Sequence, residues 1–283
     1  MERSESQLVR RFSVKRVGQE GHPAGAFERM VDSVATEEPL AIRISYWFKD
    51  TQHNEALAVT MRTPGHDIEL AAGLLLAEGI IRGSTDITAI RALGAEPSDE
   101  VLVELAKGVD FEAWRTSRNG FVSSSCGVCG KRSREAIAQA VPVLHDGFQV
   151  AASVIERLPG LLRQHQQGFA QTGGLHAAAL VTSDGALEAI FEDIGRHNAL
   201  DKVIGWALRN NRVPLQEGIL FLSSRSSFEL IQKASMAGAP LLATVGGPSS
   251  LAVETAREQG LTLIGFVRDG RFNIYSGEWR IHS

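Results

Sequence analysis

The feature that most constrains the fold of this chain is the regular alternation of helical and strand patterns after residue 150. A helical pattern over 152–167 precedes two apolar strand-like segments, 175–182 and 186–191, joined by the turn sequence Asp184-Gly185. Helical and strand patterns then follow each other in turn: 198–209 (helix), 219–222 (strand), 228–237 (helix), 241–245 (strand), 251–259 (helix) and 261–267 (strand). Such alternation is typical of βαβ units, so it predicts an α/β fold with a mostly parallel sheet.

The first part of the chain predicts a smaller α+β unit. After a polar N-terminal arm of about a dozen residues, strand patterns occupy 40–48 and 56–61, and Asp67 is placed to cap a helix that runs to Glu78. Two further strands are expected over 87–90 and 101–105. We therefore divide the chain into a small α+β N-terminal domain (13–117), a loop with the cysteines (118–135) and a second domain (136–283).

The element order of the second domain resembles the cytidine deaminase fold, which allows a test for zinc. Zinc deaminases carry His-x-Glu at the start of one helix and Pro-Cys-x-x-Cys at the start of the next, because the metal needs a histidine, two thiolates and a nearby carboxylate. Here Ala199 stands where the glutamate after His197 is required, and residues 223–227 contain no cysteine. The sequence thus predicts a cytidine-deaminase-like domain without zinc.

Cys126 and Cys129 are the only cysteines of the chain, so any sulfur chemistry must take place there. A disulfide between residues this close would close too short a loop to add much stability. The pair is compatible with a redox dithiol, half of a metal site or a sulfur carrier. Zinc would need two more ligands, and the histidines do not show the close spacing of a zinc finger.

The surroundings of the cysteines favour sulfur carriage. Residues 123–130 are mostly serine and glycine, which predicts an exposed, mobile loop, and a short helix is expected over 131–141. A helix N-terminus together with Lys131, Arg132 and Arg134 would lower the thiol pKa and favour the nucleophilic thiolate. A thioredoxin-like oxidoreductase would instead carry its pair just after the first strand of a compact domain. An exposed thiolate can take sulfur from a partner's persulfide by thiol exchange.

Two strand-to-helix loops of the second domain are rich in small residues. Residues 223–227 and 246–250 are serine- and glycine-rich, and such loops let backbone N–H groups approach an anion at a helix N-terminus. Arg225 lies in the first loop, and Arg268 and Arg271 flank the Asp269-Gly270 turn of a predicted C-terminal hairpin. Because guanidinium groups suit phosphates, these loops indicate a nucleotide-like ligand, although capping and solvation would also account for each residue alone.

The segment from Asp193 to Asn198 allows two interpretations. In the first, it is an ordinary loop in which Asn198 caps the following helix and His197 is hydrogen-bonded. In the second, Arg196 and His197 lie in the former metal pocket and contact a phosphate or a purine.

Composition excludes several classes of protein. The 283 residues (30.6 kDa) carry 29 Lys and Arg against 33 Asp and Glu, a formal charge of −4 and a pI near 6.1, so the basic surface that nucleic acid attracts is not expected. The most apolar stretch, 71–81, is too short to span a bilayer, and no export signal is recognised at the N-terminus. We expect a cytoplasmic protein with neither nucleic acid nor membrane as a partner.

Several segments taken together resemble the formate dehydrogenase accessory sulfurtransferase family, FdhD. Those that carry the resemblance are 63–65, 69–75, 78–80, 125–130, 174–178, 192–202 and 265–273. The combination spans nearly the whole chain and is far more specific than the cysteine pair alone.

The resemblance implies a function and a site. Members of the family accept persulfide sulfur from a cysteine desulfurase and pass it to molybdenum in the bis(molybdopterin guanine dinucleotide) cofactor, which makes formate dehydrogenase competent. Carried over to this chain, Cys126 is the persulfide carrier and Cys129 its assistant, in a homodimer. The cofactor is then assigned to Phe266, Val267, Arg268, Asp269, Gly270 and Arg271. Two alternatives stay open: a dithiol oxidoreductase, and a cofactor-binding chaperone without sulfur chemistry.

Overall fold

The computed structural model describes residues 8–17, 27–94, 98–113, 144, 147–268 and 270–283. Both cysteines, the 118–135 loop, the predicted helix over 131–141 and Asp269 lie outside the described residues. The described strands are β1 (Val9–Val17), β2 (Phe27–Ala35), β3 (Glu38–Phe48), β4 (Thr51–Arg62), β5 (Ile87–Leu93), β6 (Glu100–Leu105), β7 (Val150–Ala151), β8 (His176–Thr182), β9 (Leu187–Asp193), β10 (Gly218–Leu222), β11 (Leu241–Thr244), β12 (Thr262–Arg268), β13 (Arg271–Ser276) and β14 (Ile281–His282). The described α-helices are α1 (Asp67–Ala77), α2 (Ala152–His165), α3 (Gln167–Thr172), α4 (Arg196–Arg209), α5 (Phe228–Met236) and α6 (Ser250–Glu258).

The N-terminal segment contains a β-hairpin, so the expectation of a polar arm is wrong from Val9 onward. Strands β1 and β2 pair antiparallel from Val9 with Ala35 to Val17 with Phe27. Most of their large apolar residues are exposed; Phe27, for example, is 72% exposed. The arginines and lysines of β1 stand between these apolar residues and hide the strand pattern in the sequence.

The small α+β unit is confirmed as a four-stranded sheet, in the order β4-β3-β6-β5, with α1 packed on it. The prediction that Asp67 caps α1 is wrong, because the residue before the helix is His66, with a left-handed φ of 57° and no side-chain capping bond. Asp67 is instead the first helical residue, and its two oxygens accept bonds of 2.9 and 3.0 Å from Arg62. This buried, two-pronged charge pair ties the end of β4 to α1.

The second part of the chain folds around a six-stranded sheet in the order β13-β12-β11-β10-β8-β9. β10, β11 and β12 are parallel to one another, whereas β8 runs antiparallel to β10 and β13 antiparallel to β12. The predicted α/β fold with several parallel strands is thus confirmed. The sheet is mixed and not mostly parallel, because β8, β9 and β13 add antiparallel pairings at its two sides. The closer likeness to cytidine deaminases stays a prediction.

Helices cover both faces of this sheet. One apolar cluster joins one face of the sheet to α4, α5 and α6 and continues into α1 and the four-stranded sheet, so the two parts of the chain share a core. A second cluster lies between the other face and α2. Both α-helical layers are therefore held by burial of apolar side chains.

Helices α1 and α4 cross with their backbones in near contact at two glycines. A Cβ added to Gly73 would lie 1.9 Å from the carbonyl oxygen of Asp201, and one added to Gly205 would lie 1.8 Å from that of Glu69. Only glycine fits at this crossing. The crossing fixes α4, and with it the turn that precedes α4, against the N-terminal unit.

None of the helices in the described ranges is both long and apolar enough to cross a membrane.

Candidate functional site

Several strand ends meet at one edge of the six-stranded sheet. The parallel strands β10, β11 and β12 point the same way, so the loops that follow them share this edge. β8 is antiparallel to β10, with Ala178 opposite Leu222, which brings the start of β8 to the same edge. His176 at that start pairs with Asp193 at the end of β9. The sheet therefore gathers at one edge both loops predicted to bind anions, the β12–β13 turn and the start of α4.

Backbone hydrogen bonds join the three loops that follow the parallel strands. The amide of Gly246 donates to the carbonyl of Ser224, and the amide of Ser249 to that of Ser226, both at 3.0 Å. The amide of Phe266 donates to the carbonyl of Gly246 at 3.1 Å. The loops are thus fixed relative to one another, as a preorganised binding edge requires.

Phe266 has an unusual backbone conformation at this edge. Its φ is 56°, in the left-handed region that bulky residues seldom adopt. Its ring reaches the next loop, where a Cβ added to Gly247 would lie only 2.6 Å from the ring's Cζ atom. The side chain is 37% exposed, and the guanidinium of Arg268 lies 5.7 Å from the ring centre, within the range of a cation–π contact. An aromatic surface beside a cation is suited to a nucleotide.

The other residues predicted for this segment are placed differently. Arg225 is exposed, and its backbone passes so close to Gly246 that a Cβ there would lie 2.9 Å from the Arg225 Cα. Val267 is fully buried in the apolar core, so only its backbone can face a ligand. Gly270 takes a φ of 68° in the turn, and Arg271 is exposed beside it.

A buried polar network fixes the turn before α4. The carboxylate of Asp193 lies 2.7 Å from the Lys202 ammonium and accepts bonds from the Gly195 amide at 2.8 Å and the Asn198 side-chain amide at 3.1 Å. Thr63 completes the network from the N-terminal unit, since its amide donates to Asp193 and its hydroxyl accepts from Ile194. Asn198 thus acts from within α4 and is not its cap, which is Gly195.

Arg196 and His197 follow this turn, at the first two positions of α4. The Nε atom of Arg196 and the Nε2 atom of His197 are buried without a hydrogen-bond partner among the described residues. Burial, and then the positive charges of Lys233 and Arg196, lower the pKa of His197 to about 4, so its imidazole is neutral at pH 7. The interpretation in which His197 is an ordinary hydrogen-bonded loop residue therefore has no support from these contacts.

The start of α5 faces the same imidazole. Ser226 is almost fully buried and its hydroxyl has no partner among the described residues. The hydroxyl of Ser227 lies beside the carboxylate of Glu229 but out of good hydrogen-bond geometry with any described group. One turn further on, Lys233 forms a buried pair with Asp201 of α4, at 2.8 Å to each carboxylate oxygen.

The edge thus holds two neighbouring groups of predicted residues. Arg196 and His197 lie with the start of α5, whereas Arg225, Phe266 and Arg268 lie around the glycine loop after β11, and residues 225–229 link the two groups. Sequence reasoning missed Glu229 and Lys233. The only sequence signal for these two residues was their position, one helical turn apart, at the start of the helix that follows the serine-rich loop 223–227.

Metal ligands do not cluster in the described ranges, where no group of three or more His, Cys, Asp or Glu side chains is placed to hold a metal ion. The expectation of no zinc stays a prediction, because both cysteines lie outside those ranges.

Comparison with known proteins shows first that a solved structure shares this fold. A crystal structure from Desulfotalea psychrophila, of a protein assigned as a formate dehydrogenase accessory protein, matches with a TM-score of 0.76 at 23% identity, over 97% of this chain and all of that one. The sequence profile of the FdhD/NarQ family matches residues 35–282. The chain belongs to the FdhD/NarQ family, as the sequence motifs indicated.

Curated relatives match this chain over most of their own length and share one name. A Nocardia farcinica protein named sulfur carrier protein FdhD is 46% identical over 269 residues, which cover 92% of each chain. A Sulfolobus acidocaldarius protein of the same name is 41% identical over 250 residues, covering 88% of this chain and 91% of its own.

Proposed function

We propose that this protein is a sulfur carrier in the maturation of formate dehydrogenase. The observation that carries the proposal is the 46% identity, over nearly the full length, with a relative named sulfur carrier protein FdhD. The chain has only one cysteine pair, Cys126 and Cys129, to carry out this chemistry. The protein is a sulfurtransferase that acts through a cysteine persulfide.

Cys126 receives the sulfur in this proposal. Its thiolate attacks the outer sulfur of a persulfide on a cysteine desulfurase; a new S–S bond forms on Cys126 and the donor cysteine leaves as a thiolate. Cys129 then assists release. Its thiolate attacks the inner sulfur of the persulfide, the outer sulfur leaves as hydrosulfide, and a disulfide between the two cysteines is left for a cellular thiol to reduce.

The acceptor is the molybdenum bis(molybdopterin guanine dinucleotide) cofactor, bound as a substrate at the edge of the six-stranded sheet. Three features fit such an anion with nucleotide ends. Buried donors at Arg196 and Ser226 lack partners among the described residues, and the partly exposed ring of Phe266 packs against the loop at Gly247. The cations Arg225, Arg268 and Arg271 suit its phosphates.

The proposal also covers the protein's partners, its oligomeric state and its location in the cell. The protein acts in the cytoplasm as a homodimer, with a cysteine desulfurase as donor and a formate dehydrogenase as recipient of the cofactor. Sedimentation of the purified chain tests the dimer, and a monomer at working concentration would remove it from the proposal.

Intact-mass spectrometry tests the carrier role. After incubation with a cysteine desulfurase and cysteine, we expect the wild-type chain to gain the mass of one sulfur atom on Cys126. Cys126→Ala should gain none, Cys129→Ala should gain sulfur but release it slowly, and Ser124→Ala in the same segment should match the wild type. A wild-type chain without mass gain would contradict sulfur carriage.

The same variants separate the two alternatives. A dithiol oxidoreductase would turn over a disulfide substrate and lose that activity equally on replacement of either cysteine. A cofactor chaperone would leave formate dehydrogenase fully active with Cys126→Ala. Neither result is expected here, because carriage requires the thiolate of Cys126.

A further inference from the structure

The β1–β2 hairpin presents one face that the fold leaves exposed. Side chains alternate along each strand, and residues directly opposite each other point to the same side. Because Lys15 lies opposite Arg29 and Val17 opposite Phe27, the odd-numbered residues of both strands form one face of the hairpin. The Lys15 ammonium lies 5.8 Å from the centre of the Phe27 ring, as expected for neighbours on this face. We call it the odd face and its opposite the even face.

The odd face is both apolar and basic. Three of its apolar side chains are between 56% and 72% exposed: Val17, Phe27 and Val31. Three exposed cations alternate with them: Arg11, Lys15 and Arg29. None of the odd-numbered residues of β1 and β2 is acidic. An exposed apolar patch of this kind marks a surface for another molecule, and its cations suit a molecule that is acidic.

The even face differs in both burial and charge. Val14 and Met30 are half-buried there. Two cations and two acids balance each other on this face: Arg10, Arg16, Glu28 and Asp32. The odd face is therefore the one suited to an acidic partner, and the even face of the same hairpin provides a matched comparison.

Contacts at its base hold the hairpin on the rest of the chain. The amide of Thr36 donates to the carbonyl of Leu8 at 2.9 Å. Helix α3 packs on both strands, and the Glu192 carboxylate fixes this helix by accepting bonds of 2.8 Å from the amides of Gly168 and Phe169. A two-stranded hairpin alone is only marginally stable in water. The base thus orients the hairpin, and burial of the odd face against a partner would stabilise the remainder.

The charge of the chain indicates what that partner is. Strands β1 and β2 hold 5 of the 29 cations of the chain but only 2 of its 33 acids, which gives them a net charge of +3. Because the whole chain carries −4, all its other residues together carry −7. A second copy of this chain therefore offers an acidic body to the basic hairpin, whereas two odd faces would repel each other.

We propose that the odd face of each hairpin docks on the acidic body of a second copy of this chain. The two protomers are related by a two-fold axis, and each one receives the hairpin of the other. The apolar side chains supply the buried contact, and the cations select an acidic surface. The inference rests on the homodimer of the proposed function and adds the surface that forms it.

The size of the hairpin fits this assignment. Strands of nine residues are about 30 Å long and a strand pair is about 10 Å wide, so one face covers roughly 300 Å². Each protomer buries its own odd face and the surface that receives its partner's, and the dimer thus buries roughly 1,200 Å² in total, at the lower end of the range for stable interfaces.

Sedimentation velocity of the full chain over a range of concentrations tests the assignment. The test variant combines Lys15→Glu and Val31→Thr on the odd face, and the control combines Arg16→Glu and Val34→Thr on the even face, so both carry the same changes in charge and size. We expect the wild type to be a dimer that high salt weakens. The odd-face variant should dissociate at least about tenfold more readily than the even-face control, with equal thermal stability of the two.

The outcomes separate this inference from the function on which it rests. A wild-type dimer that both variants weaken equally, or that neither weakens, would overturn the inference and leave the homodimer intact. A monomeric wild type would overturn both, whereas sulfur loading of Cys126 is measured independently by mass. Binding of a dimeric chain to phosphatidylserine vesicles that only the odd-face variant loses would show that the hairpin meets a membrane, and would also overturn the inference.

Discussion

The ammonium of Lys202 lies 2.7 Å from the carboxylate of Asp193, and both side chains are closed off from solvent. Lys202 also donates to the carbonyl of Thr63 at 3.0 Å. The pair therefore joins the N-terminal unit to the turn that carries Arg196 and His197. Loss of either partner would leave an unpaired charge buried in the protein, which strongly destabilises the folded state.

Removal of one partner should destabilise the whole chain. We expect Lys202→Met to lower the free energy of unfolding by about 3 kcal/mol or more, because it leaves the Asp193 carboxylate buried without its cation. Urea denaturation measures the change. Lys107→Met, which breaks an exposed pair with Asp50, is the control and should cost no more than about 1 kcal/mol. Equal effects of the two variants would show that the buried pair does not have this role.

The crossing of α1 and α4 gives a second stability prediction. Gly205→Ala would place a methyl group 1.8 Å from the carbonyl oxygen of Glu69, so the helices must separate, and we expect a loss of at least roughly 3 kcal/mol. Gly160→Ala in α2 is a matched control. It is also a helical glycine, but its added methyl group meets no atom within 4 Å, so it should stabilise by up to about 1 kcal/mol. A Gly205→Ala chain as stable as the control would mean that the helices do not meet as closely as described.

How much the sequence could predict depends on how local each signal is. The alternation after residue 150 predicted the helices and strands of the six-stranded sheet because each pattern is read within one element. The β1–β2 hairpin was missed, since most of its large apolar residues are exposed and charged residues stand between them. Asp67 was assigned as a cap because the sequence does not show Arg62, five residues earlier, holding it in a buried pair.

For the candidate site, too, the sequence predicted local features but not the contacts between distant elements. Loops after the parallel strands were identified from small residues and arginines, and the topology brings them to one edge. Glu229 and the Asp193–Lys202 pair were not identified as site residues, because their environment is created by contacts between elements far apart in sequence. The roles of Cys126 and Cys129 stay predictions.

His197 should make stability depend on pH. The pKa of His197 is about 4 in the folded chain, below the ordinary value of 6.5. As the pH falls, the imidazole is therefore protonated near pH 6.5 in the unfolded chain but only near pH 4 in the folded chain. Stability is therefore greatest above pH 6.5 and falls as the pH drops toward 4. The groups that face the imidazole are His176, Arg196, Lys233 and Glu229.

The quantity to measure is the difference in the free energy of unfolding between pH 7 and pH 5. We expect His197→Gln to lose less stability over this interval than the wild type, by about 1 kcal/mol or more, because glutamine does not titrate. His282→Gln, at an exposed position, should lose as much as the wild type. Identical pH profiles for His197→Gln and the wild type would show that the folded chain does not hold this imidazole neutral.

The contact between Gly247 and Phe266 gives the last prediction, which concerns binding and not stability. A methyl group on Gly247 would lie 2.6 Å from the Phe266 ring and must displace it, whereas the loop is otherwise exposed enough to adjust. We expect Gly247→Ala to weaken GDP binding several-fold, with unfolding changed by less than about 1 kcal/mol. Gly108→Ala, whose added methyl group has open space, should bind GDP as the wild type does. If Gly247→Ala also binds GDP normally, the ring of Phe266 does not form part of the nucleotide site, and the phosphates alone must hold the ligand at this end of the edge.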